Sequence, residues 1–380
     1  MKHHKYNPGF KFVKDPEYFD KYTDKDLLRF CVGANMYMPG TKDFSDAILN
    51  LKYPGLTSIT LDFEDACKLE DVSRAEENCI QILDKINNAI EEGSFEYENL
   101  PLIVFRVRNV DQFKHFASLL KKEHIRLITG FNFPKFNAIN GPLYFWQLKE
   151  LNEKFGEILY GLPILEDSRV AFKESRIREL MDIKQILDSY YDLVLNVRVG
   201  ATDFSACFGA RRDINYTIYD IMTVRDVLMD ILNIFSRGSD YVISGPVWEY
   251  FKFNKKLKFS ETLPNISLKE TLLNRQPLVN DAVDGLMREL ILDKANGFVG
   301  KTIIHPSHIN FVNGMNAVTK EEYEDALQIT NTSGGVIKSF QNNKMNEIGP
   351  HRLWAERILM RARAYGVIQN ESEYLKLFGA

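Results

Sequence analysis

Between Ile59 and Ala66 the chain reads Ile-Thr-Leu-Asp-Phe-Glu-Asp-Ala, with Ile59, Leu61 and Phe63 alternating against Thr60, Asp62 and Glu64. Strict period-two alternation predicts a β-strand with one apolar and one polar face. Two carboxylates on one such face are candidates for proton handling, for pairing with a cation, or for organising a metal. The same alternation elsewhere supplies the partners. In Leu102–Arg108, Ile103, Phe105 and Val107 stand opposite Arg106 and Arg108; in Asp192–Val199, Leu195, Val197 and Val199 stand opposite Asn196 and Arg198. Asn35, Tyr37, Asn132, Glu166 and Ser244 fall at comparable polar positions. If helices cover the apolar faces, Asp62, Glu64 and Glu166 converge on Arg106, Arg108 and Arg198. Left unpaired in an interior, such charges would cost several kcal/mol each, so ion pairing or a metal is expected.

Glu166 closes Gly161-Leu-Pro-Ile-Leu-Glu166, and Asp203 follows the next strand in Gly200-Ala-Thr-Asp203. Two carboxylates at adjacent strand ends, with no His or Cys nearby, suit a hard, oxygen-seeking ion such as Mg²⁺. The plainer reading is a set of structural salt bridges tying the strands together. Clustering at the carboxyl ends of strands favours the functional reading, because that is where barrel sites lie.

The elements that must position these groups repeat in a regular order. Strand-like runs occur at 30–38, 59–66, 102–108, 126–133, 158–166, 192–199, 241–245 and 301–304, and helical sequence separates each from the next. Ser73-Arg-Ala-Glu76 and Thr223-Val-Arg-Asp226 look like capping boxes opening two of the helices. Eight βα units predict a (β/α)8 barrel. A doubly wound open sheet is the rival, and the lack of a G-x-G-x-x-G after the first strand counts against it. The expected division is a polar arm at 1–28, the barrel at 29–318 with an inserted loop at about 246–278, and a C-terminal helical extension at 319–380. That extension holds two helical stretches joined at Asn331-Thr-Ser-Gly-Gly335, a candidate hinge. It is expected to pack on a barrel mouth, its own or a neighbour's.

Composition narrows the class. At 380 residues and a net charge of −4, the chain is not built for nucleic acid as its main partner. No apolar leader and no membrane-length run are visible, so a cytoplasmic protein is expected. Cys31, Cys67, Cys79 and Cys207 fit no zinc spacing and read as reduced structural thiols.

Taken in order, Met38-Pro-Gly40, Leu61-Asp-Phe-Glu-Asp-Ala66, Phe105-Arg-Val107, Phe133-Pro-Lys135, Ile164-Leu-Glu166, Gly200-Ala-Thr-Asp-Phe204 and Gly300-Lys-Thr-Ile-Ile-His-Pro-Ser307 carry a resemblance. The chain resembles the citrate lyase β-subunit and HpcH/HpaI aldolase superfamily, including malyl-CoA lyase relatives. Gly209-Ala-Arg-Arg-Asp213 and Gly245-Pro-Val-Trp-Glu-Tyr-Phe251 look like its divergent carbon–carbon bond lyase branch, associated with tellurium-resistance and stress-response gene neighbourhoods. The resemblance implies that Glu166 and Asp203 hold Mg²⁺. It implies that Arg106 holds a substrate carbonyl and the developing enolate, with Asp62 and Glu64 as the acidic pair beside it. Relatives form trimers or hexamers, often with a C-terminal segment reaching a neighbour's site, so a homo-oligomer is expected. The implied reaction makes or breaks a carbon–carbon bond beside a carbonyl, on a small anionic oxo- or hydroxy-acid.

Several features depart from that pattern. The 246–278 loop contains Phe251-Lys-Phe-Asn-Lys-Lys-Leu-Lys-Phe259, either a solvated loop or a lid over an anion. Arg211 and Arg212 are a candidate anion clamp or a surface pair. Neither indicates coenzyme A, and a phosphorylated or sugar-like substrate is admitted. Lys135 is a candidate substrate-binding cation, and a Schiff-base role is the opposing mechanism. His305-Pro306-Ser307 reads as shaping the barrel end, and Trp248 and Trp354 as packing or lid anchors. Thioester transfer or hydrolysis on the same site, and a non-catalytic ligand-binding role in a stress-response assembly, are the rival functions.

Overall fold

A computed structural model describes residues 1–252 and 267–379. Eight strands form one parallel sheet: β1 (Ala34–Pro39), β2 (Ser58–Asp62), β3 (Leu102–Arg106), β4 (Ile128–Phe133), β5 (Tyr160–Leu165), β6 (Val197–Val199), β7 (Ile243–Ser244) and β8 (Lys301–Ile303). They pair in sequence order from β1 to β7, with β8 on the free side of β1. A parallel bridge between Gly245 and Lys301 brings β7 to β8 and closes the barrel. The seam is tight. Gly300 has φ +70°, and a Cβ there would stand 2.4 Å from the Gly33 carbonyl oxygen, so only glycine lets β8 reach β1.

The outward faces are apolar because helices cover them. Phe63, Phe105 and Phe131 stack against Phe113 and Phe116 of helix Val110–Leu119, with Phe105–Phe116 and Phe113–Phe131 ring centroids 4.8 and 4.6 Å apart. The inward faces carry polar side chains that satisfy one another. Thr60 donates to Asn35 at 2.6 Å and accepts from Asn132 at 2.9 Å, and Ser244 donates to Asn196 at 2.8 Å. This polar layer is the floor on which the charged groups at the carboxyl strand ends stand.

Local expectations needed correction where tertiary partners outcompete sequence signals. Cys31 ends a helix, Lys25–Cys31, and β1 begins only at Ala34, after Gly33 turns the chain at φ 58°. Neither expected capping box forms. The helix Val72–Glu91 has Asp71 at its cap without a side-chain bond, and Glu76 instead accepts from Gln112 at 2.8 Å. Asp226 pairs with Arg176 at 2.7 Å. Residues 191–193 form a 3-10 turn, which shortens β6 to three residues. Between β3 and β4 the helical sequence forms two helices, Val110–Leu119 and Lys122–Ile125.

The first residues are not a polar appendage: Met1, His3, His4 and Phe19 are buried. His3 stacks on Tyr365 with centroids 4.3 Å apart, and a His3 ring nitrogen lies 3.1 Å from the Cys31 carbonyl. The C-terminal residues cover the same end of the barrel. Helix Ile348–Tyr365 packs on helices Lys320–Asn331 and Lys25–Cys31, and Tyr365 donates to the Phe30 carbonyl at 2.7 Å. Val367–Ile368 then pairs in parallel with Val318–Thr319. Between the two helices lies a short antiparallel hairpin, Val336–Lys338 with Met345–Glu347. Both termini therefore lie against the end where the strands begin, and among the described residues none of the extension lines the cavity at the carboxyl strand ends. All four cysteines are free. No helix among the described residues is long and apolar enough to cross a membrane.

Candidate active site

At the carboxyl ends of the strands lies a cavity of about 440 Å³, whose walls include Asp62, Arg106, Glu166, Arg198, Asp203 and Thr302. Asp62 and Arg106 are register partners on β2 and β3. The Arg106 guanidinium donates through Nε and Nη2 to the two Asp62 oxygens, each at 2.6 Å. Its Nη1 meets Asp65 and Glu64, both at 2.9 Å. Asp62 also accepts the backbone N–H groups of Glu64 and Ala66 at 2.9 Å each, which fixes the loop that carries Glu64 and Asp65. One buried carboxylate thus sets both the arginine and the loop beside it.

Pro134 ends β4, and Lys135 follows with φ 47°, a left-handed conformation that costs an L-residue about 1–2 kcal/mol. The turn has two results. The Lys135 N–H donates to Glu166 at 2.9 Å, and its ammonium pairs with Glu64 while lying 4.0 Å from Asp203. Burial pulls the Lys135 ammonium down, but Glu64, Glu166 and Asp65 outweigh it and hold the group above the ordinary lysine value. A lysine held protonated is a poor Schiff-base nucleophile.

Glu166 is held against Gly200, where a Cβ would stand 2.1 Å from its Oε2; any other residue would displace the carboxylate. Burial, and then the nearby Asp203, push the Glu166 carboxyl up to about 8. Burial also raises Asp203, against the pull of Lys135. Glu64 is raised by burial despite Arg106 and Lys135. Burial leads all three shifts, and the cluster also carries an excess of negative charge. Asp62, Glu64, Asp65, Glu166 and Asp203 face Arg106, Lys135 and Arg198, five carboxylates against three cations. A divalent cation would balance it. Among the described residues no group of three or more His, Cys, Asp or Glu converges on a metal position. Glu166 and Asp203 nevertheless fit Mg²⁺, which keeps several waters and needs only one or two carboxylates.

Arg198 is the outlier. It is 1% exposed, lies over the Tyr37 ring and donates through Nη2 to Thr302 at 2.5 Å. Its Nε and Nη1 are buried with no hydrogen-bond partner among the described residues. A buried guanidinium with unpaired donors has capacity left for an acceptor such as an anion.

Other candidate residues lie elsewhere. Arg108 donates to the Cys67 carbonyl at 2.9 Å and braces the loop after β2 from outside the cavity wall. Arg212 is buried between Glu249 and Glu289 and donates to the Val247 carbonyl at 2.8 Å, a structural knot beneath Trp248. Arg211 is exposed. Of the proposed aromatic and basic lid, residues 253–259 lie outside the described residues; Phe251 stacks on His305 with centroids 4.3 Å apart. Two cavity residues escaped the alternation argument. Asp65 sits in the loop past the strand, where period two no longer applies, and Thr302 is one neutral residue on a short strand. Asp65 does fall within the acidic run 61–66, which was its available signal.

Comparison with known proteins agrees with this architecture. A structure of CitE from Mycobacterium tuberculosis in complex with magnesium, acetoacetate and coenzyme A superposes with a TM-score of 0.52 at 18% identity, covering 88% of this chain and 99% of that one. A lead(II) complex of Haloferax volcanii malate synthase superposes with a TM-score of 0.51 at 12% identity, covering 87% and 88%. At such identities the likeness speaks to the fold. No curated protein matches the chain in sequence. The family described as C-C bond lyase of the TIM-barrel fold matches residues 26–367, nearly the whole chain, and the protein belongs to that carbon–carbon lyase family.

Proposed function

We propose that this lyase makes or breaks a carbon–carbon bond beside the carbonyl of a small anionic oxo- or hydroxy-acid, with Mg²⁺ on Glu166 and Asp203. The observation that carries the substrate class is Arg198, which lines the carboxylate-rich cavity while its buried Nε and Nη1 lack a hydrogen-bond partner among the described residues. An incoming anion would supply the acceptors they lack. A carboxylate or a phosphate matches a guanidinium fork equally well, so a phosphorylated acid belongs to the same class. The magnesium and acetoacetate held by the CitE relative support this reading by analogy.

When bound, Mg²⁺ supplies positive charge for substrate oxygens as the carbonyl becomes an enolate. The chain's own residues do the rest. Arg198 and Thr302 anchor the distal anionic group. Arg106 is held flat by Asp62 and offers Nη1 to the carbonyl oxygen once Asp65, whose side chain is 58% exposed, swings aside. Lys135 stays protonated and holds Glu64 in place. The donors are already oriented before charge develops, which is how such sites favour the transition state.

Calorimetric titration with Mg²⁺ tests the metal position. The parent should bind one ion, and Glu166→Ala and Asp203→Ala should not, with circular dichroism unchanged. If both variants bind Mg²⁺ like the parent, the assignment of these two carboxylates fails.

A further inference from the structure

A second cavity, of about 540 Å³, lies at the opposite end of the barrel, between helix Asp281–Ala295 and helix Ile348–Tyr365. Its walls carry Lys269, Lys294, Arg357 and Arg361, with Glu322 as the sole carboxylate among the described residues that line it. Lys294 pairs with Glu322 at 3.2 Å, and Lys269 pairs with Glu371 just outside. Arg357 and Arg361, one helical turn apart, have no carboxylate in ion-pair contact among the described residues. Each spends one Nη2 on a backbone carbonyl, Arg357 on Gly297 at 2.7 Å and Arg361 on Phe298 at 2.8 Å. A guanidinium has five N–H donors, so most remain for a ligand.

The arrangement is costly as it stands. Two like charges share one pocket, and one of them, Arg361, is only 5% exposed. Burial, with Arg361 and Arg29 adding to it, pulls Arg357 down to about 10; burial lowers Arg361 too. The catalytic mechanism uses none of these groups. The same wall offers an apolar platform in Pro350, Leu353 and Trp354, the last 40% exposed and three residues before Arg357. The volume falls within the range that holds small-molecule ligands.

We propose that this cavity binds a ring-bearing phosphate ester of the mononucleotide kind, its phosphate gripped by Arg357 and Arg361 and its ring laid on Trp354. Such a ligand would neutralise the excess charge and tie the C-terminal helix to the barrel floor. Because the cavity opens opposite the catalytic one, occupancy would act on the fold's stability and not by competing with substrate.

The test titrates the full chain with adenosine monophosphate and, separately, with inorganic phosphate, following heat and tryptophan emission. The parent should bind the nucleotide with a change in emission, and phosphate more weakly. Arg357→Gln should weaken both at least about tenfold, the loss expected for a charged hydrogen-bonding pair. Trp354→Phe should abolish the emission change while keeping the phosphate affinity. If Arg357→Gln does not fold, Arg357→Lys keeps the charge but loses the fork and should weaken nucleotide binding as well. Arg198→Met should leave nucleotide binding unchanged. No binding of either ligand at roughly 1 mM, nucleotide binding indifferent to Arg357 and Trp354, or binding lost in Arg198→Met would each overturn the proposal.

Discussion

Asp62 and Arg106 face each other across adjacent strands as register partners, joined by two hydrogen bonds of 2.6 Å. The fork that a free arginine would offer to a substrate is therefore already occupied, and only Nη1 is turned to more exchangeable partners. Asp62 is better described as the organiser of the site than as its base. It accepts four donors and is fully buried.

Replacing Asp62 with Ala strands the Arg106 charge in the interior. Breaking a buried pair this way typically costs about 3–5 kcal/mol, so urea unfolding should shift to a clearly lower midpoint. Arg106→Lys keeps a cation near Asp62 and should be far milder in the same measurement, while still lowering turnover.

Arg198 should show the opposite balance. It is a buried cation without a full set of partners, so Arg198→Met should raise the stability of the ligand-free protein by about 1 kcal/mol while weakening substrate binding. A thermal melt reads the first effect and KM the second. A destabilised Arg198→Met protein would mean that its donors are satisfied within the fold.

The buried histidines predict acid sensitivity. Burial lowers His3 well below its ordinary value, His4 to about 3 and His308 to about 4. A histidine whose folded value is depressed stays neutral in the fold but takes up a proton on unfolding below about pH 6.5. Stability is therefore lost as pH falls below that point. The loss is about 2 kcal/mol per histidine at pH 5. Unfolding midpoints measured from pH 7.5 to 5 should fall steeply, and His4→Gln should flatten the dependence.

The C-terminal segment reads in sequence as a separable appendage beyond a Gly334-Gly335 hinge, but its contacts are integral. Cutting after Thr332 removes Arg361, Tyr365 and Val367, which bind Phe298, Phe30 and the Val318 strand at the barrel floor. The truncated chain should unfold at markedly lower denaturant, with loss of cooperativity by circular dichroism. An equally stable truncated barrel would contradict this account.

The barrel and much of its charged interior were legible because a strand's side chains alternate with a fixed period and its apolar face must be covered. Asp62, Arg106 and Arg198 could be placed on one inner surface from that rule alone. What could not be read depended on partners remote in sequence. Glu76 looked like a cap and instead joins Gln112; Arg212 looked like a ligand clamp and instead joins Glu249 and Glu289. His3 sits in a polar stretch, yet Tyr365 covers it from the far end of the chain. Loop geometry was equally hidden. The left-handed turn at Lys135 follows from its tertiary contacts, not from its residue type.

The central claim is metal-assisted enolate chemistry at the Glu166, Asp203 and Arg106 cluster, as against an imine on Lys135. Protonation of an enolate is the reverse of α-proton abstraction, so a lyase of this kind should exchange the α-protons of an oxo-acid product without its second substrate. The measurement is deuterium uptake into pyruvate in D₂O, followed by proton NMR, with and without Mg²⁺. The account predicts uptake that requires Mg²⁺, stops with chelator, falls roughly a hundred- to a thousandfold in Arg106→Lys, and leaves no borohydride-trapped adduct. Uptake that persists in chelator, with a borohydride adduct on Lys135, would contradict it.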